Sequence, residues 1–314
     1  MPAGGSSHEL RVLKDKNGKR WFSKGSAGDD LQLVNEYLAY QVYKAFGVPV
    51  APDAMLVTDD AGDTRIVTSQ AKGKQVTNPK KELAGTEFAK GMFVDALLGS
   101  WDVVGNAPRY NLFIDPDTKE VTRIDTGGFD FRAMGGRKGK LFGDKVNELA
   151  TFAGINGSKM SGSVAADVFG SMSKEELSQA AEEFGKTKWS KIEAAFDKVQ
   201  NEVDALGDKA LASETKDYLR KMKATLKSRH EDSVAVINDK GFAKIKPEGG
   251  LVGSDDAEKP SDKGGSEAGN NGLSKVDYWR TVQGQNIGFT GEPDKGTPVT
   301  GGAVIKAILA KQGK

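Results

Sequence analysis

Asn111-Leu-Phe-Ile114 and Val121-Thr-Arg-Ile124 are two short apolar runs, and between them stands Asp115-Pro-Asp-Thr118, a sequence typical of a turn. Together they predict a β-hairpin. Asn111 opens the first strand, and Asp125 follows the second strand, before a run of Thr-Gly-Gly. Because the two arms of a hairpin return to the same end, we expect the Asn111 amide and the Asp125 carboxylate to lie close together.

A second carboxylate precedes this hairpin. Apolar residues recur at helical spacing from Phe88 to Leu97 and lead to Trp101-Asp102, and a loop of eight residues separates Asp102 from Asn111. Two carboxylates and an amide suit a magnesium ion shared with a phosphoryl group, since Mg²⁺ prefers hard oxygen ligands. The alternative is that Asp102 and Asp125 are turn or cap residues, as aspartate often is.

The chain before residue 70 has the pattern of a small, mostly antiparallel sheet with one helix. Two hairpins are predicted, one around Asn17-Gly18 and one around Asp59-Asp-Ala-Gly62. Between them, Asp29 or Asp30 can begin a helix whose apolar stripe runs from Leu31 to Phe46, and Gly47 followed by a proline ends it.

Three further features of this N-terminal part could serve a phosphate-binding site. Gly4-Gly-Ser-Ser7 offers backbone N–H groups and hydroxyls, although a flexible chain end has the same composition. Lys24 closes a predicted strand, and Glu36 lies off the apolar stripe of the helix, so the two could form an ion pair. Each taken alone is typical of a solvated surface charge.

The C-terminal half is predicted to be helical and then disordered. Helices are expected at about 173–184, 188–205 and 212–229, the first beginning with a Ser173-x-x-Glu176 capping box. Between Pro247 and Gly272 there are seven glycines and no aromatic residue, which is typical of a disordered linker. Beyond it, Val276–Trp279 and Ala303–Leu309 could form short elements that dock a partner protein.

The composition excludes several functional classes. The 314 residues carry 45 basic and 44 acidic side chains. The chain therefore lacks the overall basic excess that is typical of nucleic-acid-binding proteins. There is no cysteine, and the only histidines are His8 and His230, which excludes thiolate chemistry and multi-histidine metal sites. We find neither a membrane-spanning stretch nor a signal peptide, and we therefore expect a cytoplasmic protein.

The order of these parts resembles that of a known enzyme family. A glycine-rich turn, a strand lysine, a helix glutamate and then Asp, Asn, a hairpin and Asp-x-Gly are similar to the parts of protein-kinase-like enzymes. The chain resembles the HipA-like and phosphoinositide-kinase-like branch, an atypical kinase family of bacteria and phages. The segments that carry the resemblance are Gly4-Gly-Ser-Ser7, Asn35-Glu-Tyr-Leu-Ala39, Phe46-Gly-Val-Pro49, Ser100-Trp-Asp-Val-Val-Gly105, Asn111-Leu-Phe-Ile-Asp115 and Arg123-Ile-Asp-Thr-Gly-Gly128.

The resemblance implies an α+β, two-lobed fold and a reaction with ATP and magnesium. The implied units are a β-rich N-lobe at 1–72, a helical C-lobe at 73–240 and a flexible tail at 241–314. The implied acceptor is a hydroxyl of a protein or a small molecule, and the phage-like character allows action inside a bacterial host cell. The implied site residues are Gly4, Gly5, Ser6 and Ser7 over the ATP phosphates, Lys24 on the α- and β-phosphates, Glu36 holding Lys24, Ser69 and Gln70 beside the adenine, Asp102 as proton acceptor, and Asn111 and Asp125 on magnesium.

This sequence also departs from ordinary protein kinases. Trp101 stands before Asp102, and the loop to Asn111 is long, so Asn106 competes with Asn111 for the metal. The glycine-rich turn lies so close to Met1 that the chain could be a piece of a longer protein. Two other functions therefore stay open at this point, a catalytically inactive kinase-fold binding module and an AMP transferase. The basic run at 135–140 is expected to be an activation segment or a solvated loop.

Overall fold

The computed structural model has an α+β architecture and describes residues 10–26, 28–105, 110–127, 130–131, 137–139, 142–152, 168–169 and 172–238. The strands are β1 (Leu10–Lys14), β2 (Arg20–Gly25), β3 (Met55–Thr58), β4 (Thr64–Ser69), β5 (Lys74–Gln75), β6 (Leu112–Ile114) and β7 (Val121–Arg123). The helices are α1 (Leu31–Ala45), α2 (Pro79–Glu82), α3 (Met92–Leu97), α4 (Asp102–Gly105), α5 (Glu148–Phe152), α6 (Lys174–Gly185), α7 (Trp189–Asp204) and α8 (Lys209–Asn238), with a 3₁₀ segment at Glu87–Gly91.

Several sequence predictions fall outside these residues. They are the phosphate-binding turn Gly4, Gly5, Ser6 and Ser7, the competing amide Asn106, the linker at 247–272 and both docking elements of the tail.

The first four strands form one antiparallel sheet in the order β1-β2-β4-β3, in which the pairs β1-β2 and β3-β4 are the two predicted hairpins. The first hairpin turns at Gly18, whose φ of 78° is in the region that glycine adopts without strain. The Asp15 carboxylate accepts hydrogen bonds from the backbone N–H groups of Asn17 and Lys19, which stabilises this turn. Lys24 pairs with Ile66 of β4 and thus lies in the interior of the sheet.

The predicted hairpin at 111–124 is also confirmed, and β5 adds a short third strand to it. This β5-β6-β7 sheet is joined to the segment that follows α1. The Arg123 backbone N–H donates to the Pro49 carbonyl at 3.0 Å, and the Ala51 N–H donates to the Arg123 carbonyl at 2.8 Å. The hairpin that carries Asn111 and Asp125 is therefore held close to the helix that carries Glu36.

The three long helices match the prediction, and α6 begins with the expected capping box between Ser173 and Glu176. The last helix is longer than predicted, ending at Asn238 instead of near residue 229. Its extra turns are mostly accessible, and polar contacts that an apolar pattern does not reveal hold them: the Asp232 carboxylate accepts from the Lys145 ammonium and from the Val146 N–H. Just before these turns, the buried Arg229 guanidinium donates to the carbonyls of Ala96 and Leu97 and to the Glu148 carboxylate.

Helix α1 lies at the centre of the main hydrophobic core and packs against α7 and α8. A second, smaller core is formed by five buried side chains of the four-stranded sheet: Leu13, Trp21, Met55, Val57 and Val67. Within the part of the chain that the structure describes, no helix is long and apolar enough to cross a membrane.

His230 of α8 makes the stability of this helical packing sensitive to acid. Its ring lies among those of Phe46, Phe184 and Trp189, and burial lowers the pKa of His230 below its ordinary value of 6.5. Folding therefore disfavours the protonated form, so stability should fall as the pH falls from 6.5 through the lowered pKa. Urea denaturation at several pH values should show a weaker fall in His230→Phe, and equal pH profiles for the two proteins would contradict this assignment.

Candidate functional site

Lys24 lies between two carboxylates that come from distant parts of the chain. Its Nζ donates to Glu36 Oε2 of α1 at 2.7 Å and to Asp125 Oδ1, just after β7, also at 2.7 Å. The ion pair with Glu36 that the sequence predicted is present, and Asp125 joins it. Burial lowers the pKa of Lys24, but the two carboxylates raise it more, so the amine stays protonated.

Glu36 is a buried residue, so the interpretation of it as a solvated helix glutamate is wrong. Its side chain is only 5% exposed, beneath the sheet that carries Lys24. Burial raises the pKa of Glu36, and Lys24 opposes that rise. The Tyr40 hydroxyl, one turn further along α1, donates to Glu36 Oε1 at 3.5 Å. Glu36 thus has few conformations open to it, and it holds the Lys24 ammonium in one place.

Asp125 and Asn111 lie at the same end of the β6-β7 hairpin, as predicted. The Ile124 N–H donates to the Asn111 carbonyl at 2.9 Å, which places Asp125 one residue beyond this pair. The backbone of Asp125 has a φ of 49°, a left-handed conformation that aspartate tolerates better than most residues. Its carboxylate is 53% exposed and so can reach both Lys24 and a ligand, whereas Asn111 is buried.

Asn35, the neighbour of Glu36, fixes the chain that follows Asp125. Its Nδ2 donates to the Gly127 carbonyl, and its Oδ1 accepts from the Asp130 N–H at 3.3 Å and from the Tyr218 hydroxyl at 2.7 Å. Gly127 must be a glycine here, because a Cβ at this position would lie 2.9 Å from the Cβ of Glu36. This role of Asn35 was not predicted from the sequence, although an asparagine in a helix interior is a signal that could have indicated it.

Asp102 is the first residue of α4, and it is half-buried. It follows Gly99, which has a φ of 59°, and Trp101, whose ring packs edge-on against Phe152 with the centroids 4.7 Å apart. The Lys138 ammonium donates to the Gly99 carbonyl at 2.9 Å and interacts electrostatically with Asp102. Lys138 is thus close to Asp102. Its backbone N–H donates to the Asp130 carbonyl at 2.7 Å, so Lys138 also links Asp102 to Asp130.

Five of the predicted site residues lie in one connected part of the structure, whereas Ser69 and Gln70 lie apart from them. Lys24, Glu36, Asp125 and Asn111 are brought together around the end of the hairpin, and Asp130 and Lys138 connect this group to Asp102.

Ser69 and Gln70 lie elsewhere. Ser69 pairs with Trp21, three residues before Lys24 on β2 and thus about 10 Å along the strand. Its hydroxyl donates to the Asp53 carboxylate at 2.9 Å, with the Pro52 carbonyl as a second acceptor at 3.2 Å, while the Gln70 N–H donates to the Arg20 carbonyl. Their place beside an adenine stays a prediction.

The residues at the hairpin end have the donor types that magnesium prefers. Among the described residues there is no group of three or more histidine, aspartate or glutamate side chains that could hold a metal ion alone. Mg²⁺, however, is usually held by one or two carboxylates together with substrate phosphates and water. The exposed Asp125 carboxylate and the Asn111 amide at the same hairpin end therefore fit a magnesium ion that arrives with a nucleotide.

A scan of the chain against protein-family models found no match, and a search among curated proteins found no significant relative.

Proposed function

We propose that this protein is an ATP- and Mg²⁺-dependent phosphotransferase with a kinase-like, two-lobed arrangement of its N-terminal sheet and C-terminal helices. The observation that carries the proposal is the Lys24 ammonium, fixed by the buried Glu36 and joined to Asp125 after the hairpin. A partly buried lysine held by a helix glutamate, next to a partly exposed aspartate, is the combination that protein kinases use to hold ATP phosphates and their metal ion.

The charges at Lys24 are suited to binding a metal–nucleotide complex. Two carboxylates share one ammonium, so the group carries an excess of negative charge that a cation can compensate. Asp125 is the exposed member and can turn toward a metal ion, whereas Glu36 is buried and stays on Lys24. Lys24 would then have donors for the α- and β-phosphates. Magnesium held by Asn111 and Asp125 would neutralise charge on the phosphates.

The proposed reaction is an in-line transfer of the terminal phosphoryl group. The oxygen of an acceptor hydroxyl forms a bond to the γ-phosphorus, and the bond from that phosphorus to the β–γ bridging oxygen breaks. Asp102 accepts the proton of the hydroxyl, and ADP leaves. Such catalysis depends on positioning and charge neutralisation, which this chain supplies without cysteine and without any histidine in the cluster. The acceptor is a hydroxyl of a protein or of a small molecule.

Calorimetric titration with Mg-ATP tests the nucleotide site. We expect binding by the wild-type chain that requires Mg²⁺ and is lost in Asp125→Ala, because the variant removes the exposed carboxylate at the hairpin end. Asp117→Ala is the matched control, since Asp117 is exposed in the turn at the other end of the same hairpin. Its binding should equal that of the wild type. A well-folded wild-type chain that binds no Mg-ATP would refute the proposal and favour an inactive binding module.

A further inference from the structure

Lys138 is a charged residue near Asp102 that the reaction described above does not use. Its ammonium donates to the Gly99 carbonyl at 2.9 Å, three residues before Asp102. Among the described residues, this is the one hydrogen bond that the Lys138 ammonium donates, and an ammonium has three N–H groups. Lys138 is half-buried, so water can reach the remaining donors only in part. A buried donor without an acceptor is costly, which favours an acceptor supplied by a ligand.

Four charged residues act on the Lys138 ammonium. The pKa of Lys138 is lowered to about 8, mainly by burial and in addition by the charge of Arg229. Glu148, Asp102 and Asp130 oppose this change. The carboxylates do not fully stabilise the ammonium, because Glu148 is already paired with Arg229 at 2.8 Å and Asp130 with Arg137 at 2.9 Å. An additional negative charge at this place would therefore be stabilising.

We propose that Lys138 is a catalytic residue that donates a hydrogen bond to the phosphoryl group during its transfer to the acceptor. The inference rests on the proposed function. The group that Lys138 would contact is the transferred phosphoryl group, and Asp102 would take the proton of the hydroxyl that accepts it. A phosphoryl oxygen is an anionic acceptor of the kind that the spare N–H groups require. Lys24 would hold the α- and β-phosphates at one end of the nucleotide, and Lys138 would hold the transferred group at the other.

Amine labelling with acetic anhydride tests this contact without knowledge of the acceptor. The free amine is the reactive form, so an anion that raises the pKa of Lys138 by one unit lowers its labelling rate at pH 7 about tenfold. We compare the chain alone, with Mg-ADP, and with Mg-ADP plus beryllium fluoride, which replaces the transferred phosphoryl group. Lys145 serves as an internal reference, because it is 67% exposed and paired with Asp232.

Labelling of Lys138 should fall about tenfold with beryllium fluoride present and change little with Mg-ADP alone. If the beryllium fluoride complex binds but leaves Lys138 labelling unchanged, or if Mg-ADP alone protects Lys138 equally, the role of Lys138 is refuted and the proposed function stands. If no nucleotide binds, the proposed function fails and this inference fails with it. The two failures are thus distinguished by the binding measurement.

Two variants give an independent readout. Lys138→Arg keeps a positive charge that does not titrate below pH 10, so ADP formation should lose the decline above pH 8 that we expect for the wild type. Lys138→Met should keep Mg-ADP binding and lose the extra affinity that beryllium fluoride provides. A purely structural role for Lys138 would instead alter both nucleotide affinities and leave the alkaline pH profile of the arginine variant unchanged.

Discussion

Arg123→Met is expected to lower the free energy of unfolding by about 3–5 kcal/mol, because the change leaves the Asp95 carboxylate buried without its counter-charge. The Arg123 guanidinium and the Asp95 carboxylate form a bidentate pair, with both N–O distances 2.8 Å, and neither side chain is more than 1% exposed. The Tyr43 hydroxyl donates to the same carboxylate at 2.8 Å. Urea denaturation followed by circular dichroism at pH 7 measures the effect.

Two comparisons establish that the buried pair causes this loss. Arg220→Met removes an arginine whose ion pair with Asp217 is 71% exposed on both sides, and stability should change by no more than about 0.5 kcal/mol. The double variant Arg123→Met/Asp95→Leu removes both charges, and its loss should be clearly smaller than the sum of the two single losses. Additive losses, or a single variant as stable as Arg220→Met, would contradict the argument.

The Arg123 pair shows what the sequence could predict and what it could not. Local signals predicted the elements correctly: the Asn17-Gly18 turn, the hairpin at 111–124 and the Ser173 capping box all depend on residues near each other in the chain. Arg123 and Asp95 are 28 positions apart, and nothing in either local pattern indicates that two opposite charges meet in the core. Strand β5 was also missed, because two residues carry no periodicity.

The same reasoning applies to the site. The Lys24–Glu36 pair could be predicted because a strand end and the next helix are close in sequence, and the placement of Asn111 beside the end of β7 follows from the hairpin itself. The burial of Glu36 could not be predicted, since it depends on the chain after Asp125 lying against α1. The Lys138 contact with Gly99 was missed for a similar reason, as a basic, glycine-rich run is typical of a solvated loop.

Asp102→Asn is expected to lower the rate of phosphoryl transfer by about 10²–10⁴-fold, the usual contribution of a general base. The amide keeps the shape of the side chain but cannot accept the proton of the acceptor hydroxyl. Mg-ATP affinity should stay close to that of the wild type, because Lys24 and Asp125 hold the nucleotide. The measurement is ADP formation from Mg-ATP, with the intact mass of any modified protein separating phosphate from AMP.

The labelling rate of Lys138 is a second readout, which tests whether Asp102→Asn acts next to Lys138. Asp102 raises the pKa of Lys138, so Asp102→Asn should lower that pKa further. At pH 7 the variant's Lys138 should therefore be labelled faster by acetic anhydride than that of the wild type, while exposed Lys145 is labelled equally. Asp117→Asn, with an exposed aspartate in the turn of the hairpin, should change neither quantity.

Faster labelling of Lys138 together with wild-type turnover would show that Asp102 is near Lys138 but is not the base. In that case the proton of the acceptor would have to go to another group, and Asp130 is a candidate, since burial raises the pKa of Asp130 and its backbone carbonyl accepts from the Lys138 N–H.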